Sequence, residues 1–287
     1  MISTLPLKIM NMRNKAILLA VFVGLLFSKS GTAQTNWTGL GVDATDWSEA
    51  LNWSAGAPSS TTVANLVFPA GDTDDIIIGA DSVAMGLVYG SDLSFSRFLV
   101  TGPGVSLTIG ASGLTNSSSL AIEHAAATVL SSNSTFSAGA LGLTMEKSLS
   151  VQTNTLSVAS SVGSLILQGG TSFGISSLST FGKIAGTGSV QLSGALTFSF
   201  TSAVGAGSWD FINQTPSGTL SSVQLSDSYA GGLTQSTPGL WTGSIGGLDW
   251  SYASSTGVLT AVPEPSTWLL LTAGLTTMVI FRRRRQS

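Results

Sequence analysis

Acid–base and nucleophilic chemistry both need a titratable side chain that can reach a substrate, and this chain of 287 residues offers few. Its one histidine, His124, sits beside Glu123, and it has no cysteine. A Ser-His-Asp arrangement needs a nucleophile, a base and an orienting acid, so His124 would have to be the base. A zinc site would need three carboxylates around that same histidine. The surroundings of His124 read as an ordinary strand, and the residue itself as a surface or turn position, so no catalytic and no metal residue is assigned. The densest acidic cluster, Asp72, Asp74 and Asp75 around Thr73, could hold Ca²⁺ through carboxylates and loop carbonyls. It lacks the glycine and glutamate spacing of an EF-hand and reads as a solvated turn before Ile76, Ile77 and Ile78. No cofactor is expected, and Ca²⁺ is the one candidate. Trp37, Trp47, Trp53, Trp209, Trp241 and Trp250 could stack on sugar rings or plug the ends of a core, and the plug is the preferred reading. The expectation is a protein that is not an enzyme.

The chemistry written into the sequence is chemistry done to the chain. Val262, Pro263, Glu264, Pro265 and Ser266 precede an apolar run over residues 268–281, which Arg282, Arg283, Arg284 and Arg285 close. Two prolines in three residues hold an extended backbone, so the motif reads as a stiff, protease-accessible stalk outside any sheet or helix. As a helix the apolar run is about 21 Å long at about 1.5 Å per residue, short for a bilayer core of about 30 Å. Trp268 at one interface and snorkelling arginines at the other extend it. Four arginines resist translocation, which keeps them in the cytoplasm and places everything before the span outside.

This order of elements resembles the sorting signal of PEP-CTERM proteins, and the likeness covers residues 262–287. It implies an exported protein of a Gram-negative bacterium, held transiently in the inner membrane by Trp268 and the arginines. It also implies processing by exosortase at the proline motif, delivery to the cell surface or extracellular matrix, and a role near exopolysaccharide or biofilm. The other end agrees: Lys8, Arg13 and Lys15 precede an apolar run over residues 16–27, and Gly31 and Ala33 are the small residues a signal peptidase reads, which predicts cleavage between Ala33 and Gln34. The expected organisation is a signal peptide over residues 1–33, an exported domain over 34–261 and a sorting signal over 262–287.

Eight of the eleven basic residues lie in those two ends. Residues 34–265 keep Arg97, Lys147 and Lys183 against fourteen acids, a formal charge of −11, which excludes nucleic-acid binding by phosphate neutralisation. About 230 residues suffice for one all-β domain. Short segments alternate with period two between Gly, Ser and Asn turns: Leu107 and Ile109, Leu149 and Val151, Leu156 and Val158, Leu165 and Leu167, Val190 and Leu192. Each puts its apolar residues on one face and Ser, Thr or Gln on the other. Near-identical strands can stack and share an interior. The expected fold is a right-handed parallel β-helix, with an antiparallel β-sandwich or roll as the alternative, and uneven spacing leaves the rung length open. Gly182 to Val190 resembles the β-solenoid passengers of autotransporter-like surface proteins. A stack needs ends unlike its middle, and residues 54–208 contain no tryptophan.

Overall fold

The computed structural model describes residues 32–67, 75–91 and 97–264, without the side chains of Arg97 and Phe98. Residues 1–31 of the signal segment, Asp72 to Asp74 of the acidic cluster and the apolar run over 268–281 lie outside the described residues. Within them the chain is almost all strand, with one 3-10 turn at Ala50–Asn52. The strands wind into a parallel β-solenoid of about 7 turns.

Each full turn lays one strand on each of three walls. The first wall is a six-stranded sheet that contains Ile76–Ile78, Arg97–Thr101, Ile122–Ala125, Leu143–Met145, Leu165–Leu167 and Val190–Leu192. The second carries Thr128–Leu130, Leu149–Gln152, Thr171–Ile175, Ala195–Phe200 and Ser222–Asp227, and the third Ser134–Ser137, Thr155–Val158 and Lys183–Gly186. In the earlier turns one long strand bends round the corner and serves both walls. Leu107–Asn116 does so, with Leu107 opposite Thr128 and Leu114 opposite Phe136.

Contacts between rungs supply the rung length that the sequence leaves open. The Ser131 hydroxyl donates to Ile109 O and the Thr155 N–H to Asn133 Oδ1, in each case across 22 residues. Later rungs are longer: the Ser228 hydroxyl donates to Phe200 O across 28 residues. On the third wall Leu156 faces Ser134 of the rung before and Ile184 of the rung after, and the second interval carries the extra length. That excess is a small excursion: Ile175 bridges Phe181 in antiparallel fashion, and Ser176 and Ser177 both donate backbone N–H bonds to Thr180 O.

The alternation seen in the sequence is the inside and outside of this tube. Leu107, Ile109, Leu149, Val151, Leu156, Val158, Leu165, Leu167, Val190 and Leu192 are all buried. Each buried aliphatic side chain contributes about 1.5–3 kcal/mol, and on the first wall Leu143, Leu165 and Val190 lie in register on successive rungs. At the corner between the first and second walls the backbones nearly touch. A Cβ on Gly194 would lie 1.8 Å from Gly169 O, and one on Gly169 would lie 2.1 Å from Lys147 O, so only glycine fits there.

Both ends are closed. At the start Trp53 packs edge-on against Trp37 and Trp47 at ring centroid distances of 5.0 and 4.8 Å, and its Nε1–H donates to Trp47 O at 2.8 Å. Buried Asn52 holds the loop over them: Nδ2 donates to Asp43 O and Asp46 O, and Oδ1 accepts from the Gly41 N–H. At the finish an antiparallel meander of Gly231–Thr237, Leu240–Ile245, Leu248–Ala253 and Val258–Pro263 folds over the last rung, with Gly207–Asp210 on the far side of the final strand. The antiparallel alternative is therefore realised in the cap alone.

At Val262 and Pro263 the last strand corrects the reading of the proline motif as a stalk outside any sheet. Asp249 pairs with Val262, Leu248 with Pro263, and the Glu264 N–H donates to Gly247 O at 3.3 Å. The fold runs into the motif because a proline is compatible with a strand when its missing N–H faces an open edge.

Candidate sorting site and the buried histidine

The geometry of the final strand shows why Pro263 fits. In an antiparallel pair, residues alternate between those that exchange hydrogen bonds with one neighbour and those that face the other. Glu264 bonds to Gly247 across the hairpin, which puts Val262 and Thr260 on the same footing, turned toward Leu248–Ala253. On the opposite edge the Phe211 N–H donates to Gly257 O at 3.0 Å, so Leu259 and Ala261 face Gly207–Asp210. Pairing on that edge stops at Gly207 opposite Ala261. Pro263 is the next residue directed that way, and the N–H it lacks would point past the end of the neighbouring strand.

Side chains change character at the same place. Ala261 is buried, whereas Val262, Pro263 and Glu264 are exposed, Val262 by 48%. Val262 lines a shallow groove of about 310 Å³ with Thr242, Gly243, Ser244, Asp249, Trp250 and Ser251. Trp250 anchors the hairpin from beneath: its ring stacks on Trp209 at 6.0 Å and 16° and its Nε1–H donates to Ile245 O at 3.0 Å. Gly246 and Gly247, at φ +65° and +75°, make the two-residue turn, the geometry that Gly-Gly favours between twisted strands. Pro265, Ser266, Trp268 and Arg282 to Arg285 lie outside the described residues. At the other end the expected signal-peptidase bond, between Ala33 and Gln34, falls in the short first strand Ala33–Asn36, where both residues are exposed.

His124 is not a surface or turn residue. It is fully buried on the inner face of the first wall, between Leu99 of one rung and Met145 of the next. Its Nδ1 lies 2.7 Å from Tyr89 Oη and its Nε2 2.8 Å from Thr128 Oγ1, and the Thr128 hydroxyl donates to Ala126 O at 3.1 Å. With that hydroxyl hydrogen committed, Thr128 accepts, so Nε2 carries the proton and Nδ1 accepts from Tyr89. Every polar atom of the imidazole is satisfied in its neutral form. Burial lowers the pKa of His124 from 6.5 to about 3 and raises that of Tyr89. A base so enclosed reaches no substrate while the rung is intact.

The other candidates are placed as follows. The six tryptophans are buried in the two caps, as plugs and not as platforms for sugars. Among the described residues no group of three or more His, Cys, Asp or Glu side chains could hold a metal ion. Asp75 is described but Asp72 and Asp74 are not, so the Ca²⁺ candidate lies outside the described residues. Sequence reasoning misses two features of the site. One is the pairing partner of the motif, Leu248 and Asp249, which the Gly246-Gly247 turn before them could have signalled. The other is the hydrogen-bonded histidine, which the alternation Ile122, Glu123, His124 already puts on the inner side.

The final strand thus presents Val262, Pro263 and Glu264, the start of the segment that resembles a sorting signal, at an exposed strand end of the cap. Comparison with known families agrees: the PEP-CTERM protein-sorting motif matches residues 261–285. No curated protein and no solved structure matches the chain. The motif implies export, a C-terminal membrane-anchoring sorting signal and processing by exosortase.

Proposed function

We propose that the exported domain is a non-catalytic structural protein of the cell surface or extracellular matrix of a Gram-negative bacterium, associated with exopolysaccharide or biofilm. The observation that carries this reading is the outer surface of the stack. Thr108, Ser150, Ser172, Thr197 and Gln224 follow one another along the second wall through paired registers that include Val129. Neighbouring strands lie about 4.8 Å apart, so this is a long, neutral, hydroxyl-bearing rank held on a rigid frame. Such a face hydrates well and forms many weak hydrogen bonds with a polyhydroxylated polymer. A net charge of −11 over residues 34–265 keeps the released domain soluble.

A carbohydrate-binding module with stacked aromatic platforms has lost its candidates to the caps, and an enzyme would need a base other than His124. The full chain is expressed in its host with an epitope between residues 34 and 36, and released material is fractionated. Recovery with the exopolysaccharide fraction, in a strain whose matrix weakens when the gene is deleted, is the expected result. Recovery only as free soluble protein, with an unchanged matrix on deletion, sinks the proposal. Turnover of a defined polysaccharide by the released domain would replace it with the enzymatic reading.

A further inference from the structure

We propose that the processing enzyme takes the Pro-Glu-Pro motif only after Val262, Pro263 and Glu264 have peeled from the Leu248–Ala253 strand, so that the C-terminal cap of the solenoid gates release from the membrane. The proposal rests on the exosortase reading of the motif. A protease holds its substrate as an extended strand whose backbone groups bond to the enzyme, and a segment already paired in a sheet is cut in proportion to how often it opens. Here the first residues of the matched segment are such a strand. Val262 is paired with Asp249 and the Glu264 N–H is bonded to Gly247 O.

The structure also shows where opening stops. Ala261 is buried, paired on one side with Trp250 and on the other with Gly207. Val262 is half exposed and has a partner on one edge only. Peeling is therefore confined to the three residues that overlap the motif, and the cap beneath stays closed on Trp250 and Trp209. Residue 263 faces away from Leu248–Ala253, so only the bonds of Val262 and Glu264 need to break, and the glycine at Gly247 permits the movement.

The absence of cysteine makes a clean test possible. Asp249 and Val262 form a hydrogen-bonded pair, as do Ser251 and Thr260 two residues further in. Such pairs have Cα atoms about 5.5 Å apart, inside the range a disulfide spans. Two full-length chains, Asp249→Cys with Val262→Cys and Ser251→Cys with Thr260→Cys, are expressed in an exosortase-bearing host. Loss of the tail is followed by intact mass with and without a membrane-permeant thiol reductant.

The oxidised 249/262 pair should be processed at least tenfold more slowly than its reduced form, while the 251/260 pair, which leaves the motif free to peel, is processed at the wild-type rate in both states. Equal processing of the oxidised and reduced 249/262 chains overturns the gate and leaves the sorting assignment standing. If the unsubstituted chain keeps its tail in that host, the exosortase reading fails and the gate with it. Should the reduced 249/262 chain resist processing, a third chain decides: six Gly and Ser residues inserted between Ala261 and Val262 free the motif without altering it. Release faster than wild type supports the gate, and an unchanged rate overturns it.

Discussion

The middle rungs and the C-terminal cap solve the same problem, burying apolar surface between strands, with opposite means. In the middle, Leu143, Leu165 and Val190 repeat one small aliphatic side chain on successive parallel strands. Where the cap meets the last rungs, Trp209 and Trp250 of the antiparallel strands, Tyr229 of a turn and Phe200 of the second wall meet edge-on or stacked at centroid distances from 5.1 to 6.0 Å. A rung can be small because the next rung covers it. The end has no next rung, so each side chain must cover more area, and aromatic rings bury the most. The short hairpins of a meander also turn the last edges away from further stacking. The middle is therefore uniform and extensible, and the cap is singular and finite, which suits it to carry a signal that must be presented once.

The sharpest way to break the middle is Leu165→Asp. Leu165 lies between Leu143 and Val190 with no exposed surface. An isolated carboxylate buried there costs far more than a folded domain can spare. Loss of the cooperative thermal transition and of the β-type far-ultraviolet circular dichroism is the expected outcome, and a transition within a few degrees of wild type would refute the inner wall as described.

Trp250→Ala tests the cap in the same terms. It removes a large buried side chain at a cost of about 3–5 kcal/mol, but the loss should stay local, because rungs contact only their neighbours. Hydrogen exchange followed by mass spectrometry should show protection lost over residues 231–263 and retained over residues 107–192. Uniform loss along the chain would mean that cap and middle fold as a single cooperative unit.

How much of the molecule is legible in the sequence follows the same division. Period-two alternation fixes which residues of Leu149–Gln152, Leu165–Leu167 and Val190–Leu192 turn inward, since side-chain direction on a strand is a local property. Rung length is not local. It depends on corner residues, on the register shift between Ala84 and Gly86, and on the excursion between Ile175 and Phe181, none of which alters the alternation. Tryptophans at 37, 47, 53, 209, 241 and 250 signal caps because a large side chain confined to the ends of a repeat has an end to fill. Proline excludes central pairing, so in sequence Pro263 reads as leaving the sheet, but which edge a residue faces is known only once Gly207–Asp210 is seen to stop beside Ala261. For His124 the local pattern is correct and the general rule about exposed histidine misleads. Tyr89 and Thr128, its partners, are 35 residues before it and 4 after, and only the coil of the chain brings Tyr89 within reach.

His124 is the place where the uniform middle breaks its own rule, which makes it a probe of intermediate size. His124→Ala should cost about 1–3 kcal/mol, chiefly through the Tyr89 hydroxyl left buried without that acceptor. The pH dependence separates hydrogen bonding from packing. The folded pKa of about 3 lies below the unfolded value of 6.5, so between these two values the unfolded chain binds the extra proton. The neutral histidine's contribution is whole above pH 6.5 and declines as pH falls toward 3, with a slope of up to about 1.4 kcal/mol per pH unit. In His124→Met, which copies Met145 of the next rung, that component of acid sensitivity should vanish. Urea midpoints at pH 4 and pH 7 for wild type and variant measure it, and an equal drop in both would show that His124 is not the group titrating.

The smallest expected effect on the fold falls on the motif itself. Replacing Pro263, Glu264 and Pro265 together with alanine restores an N–H at residue 263 that points past the end of Gly207–Asp210, where water can bond it, and the side chains of Pro263 and Glu264 are exposed. Stability should change by no more than about 0.5 kcal/mol, the range of surface substitutions away from special features. Sorting should respond very differently, with the protein retained in the inner membrane and its tail uncut while the domain stays folded. Thermal unfolding of the purified full-length chain and intact mass of the membrane fraction give the two readings. A large loss of stability would place Pro263 in the cap's essential packing, and unchanged release would show that the enzyme reads something other than the proline motif. The expected pair, a silent fold and an absent cut, is what distinguishes a signal carried on the edge of a cap from one built into its core.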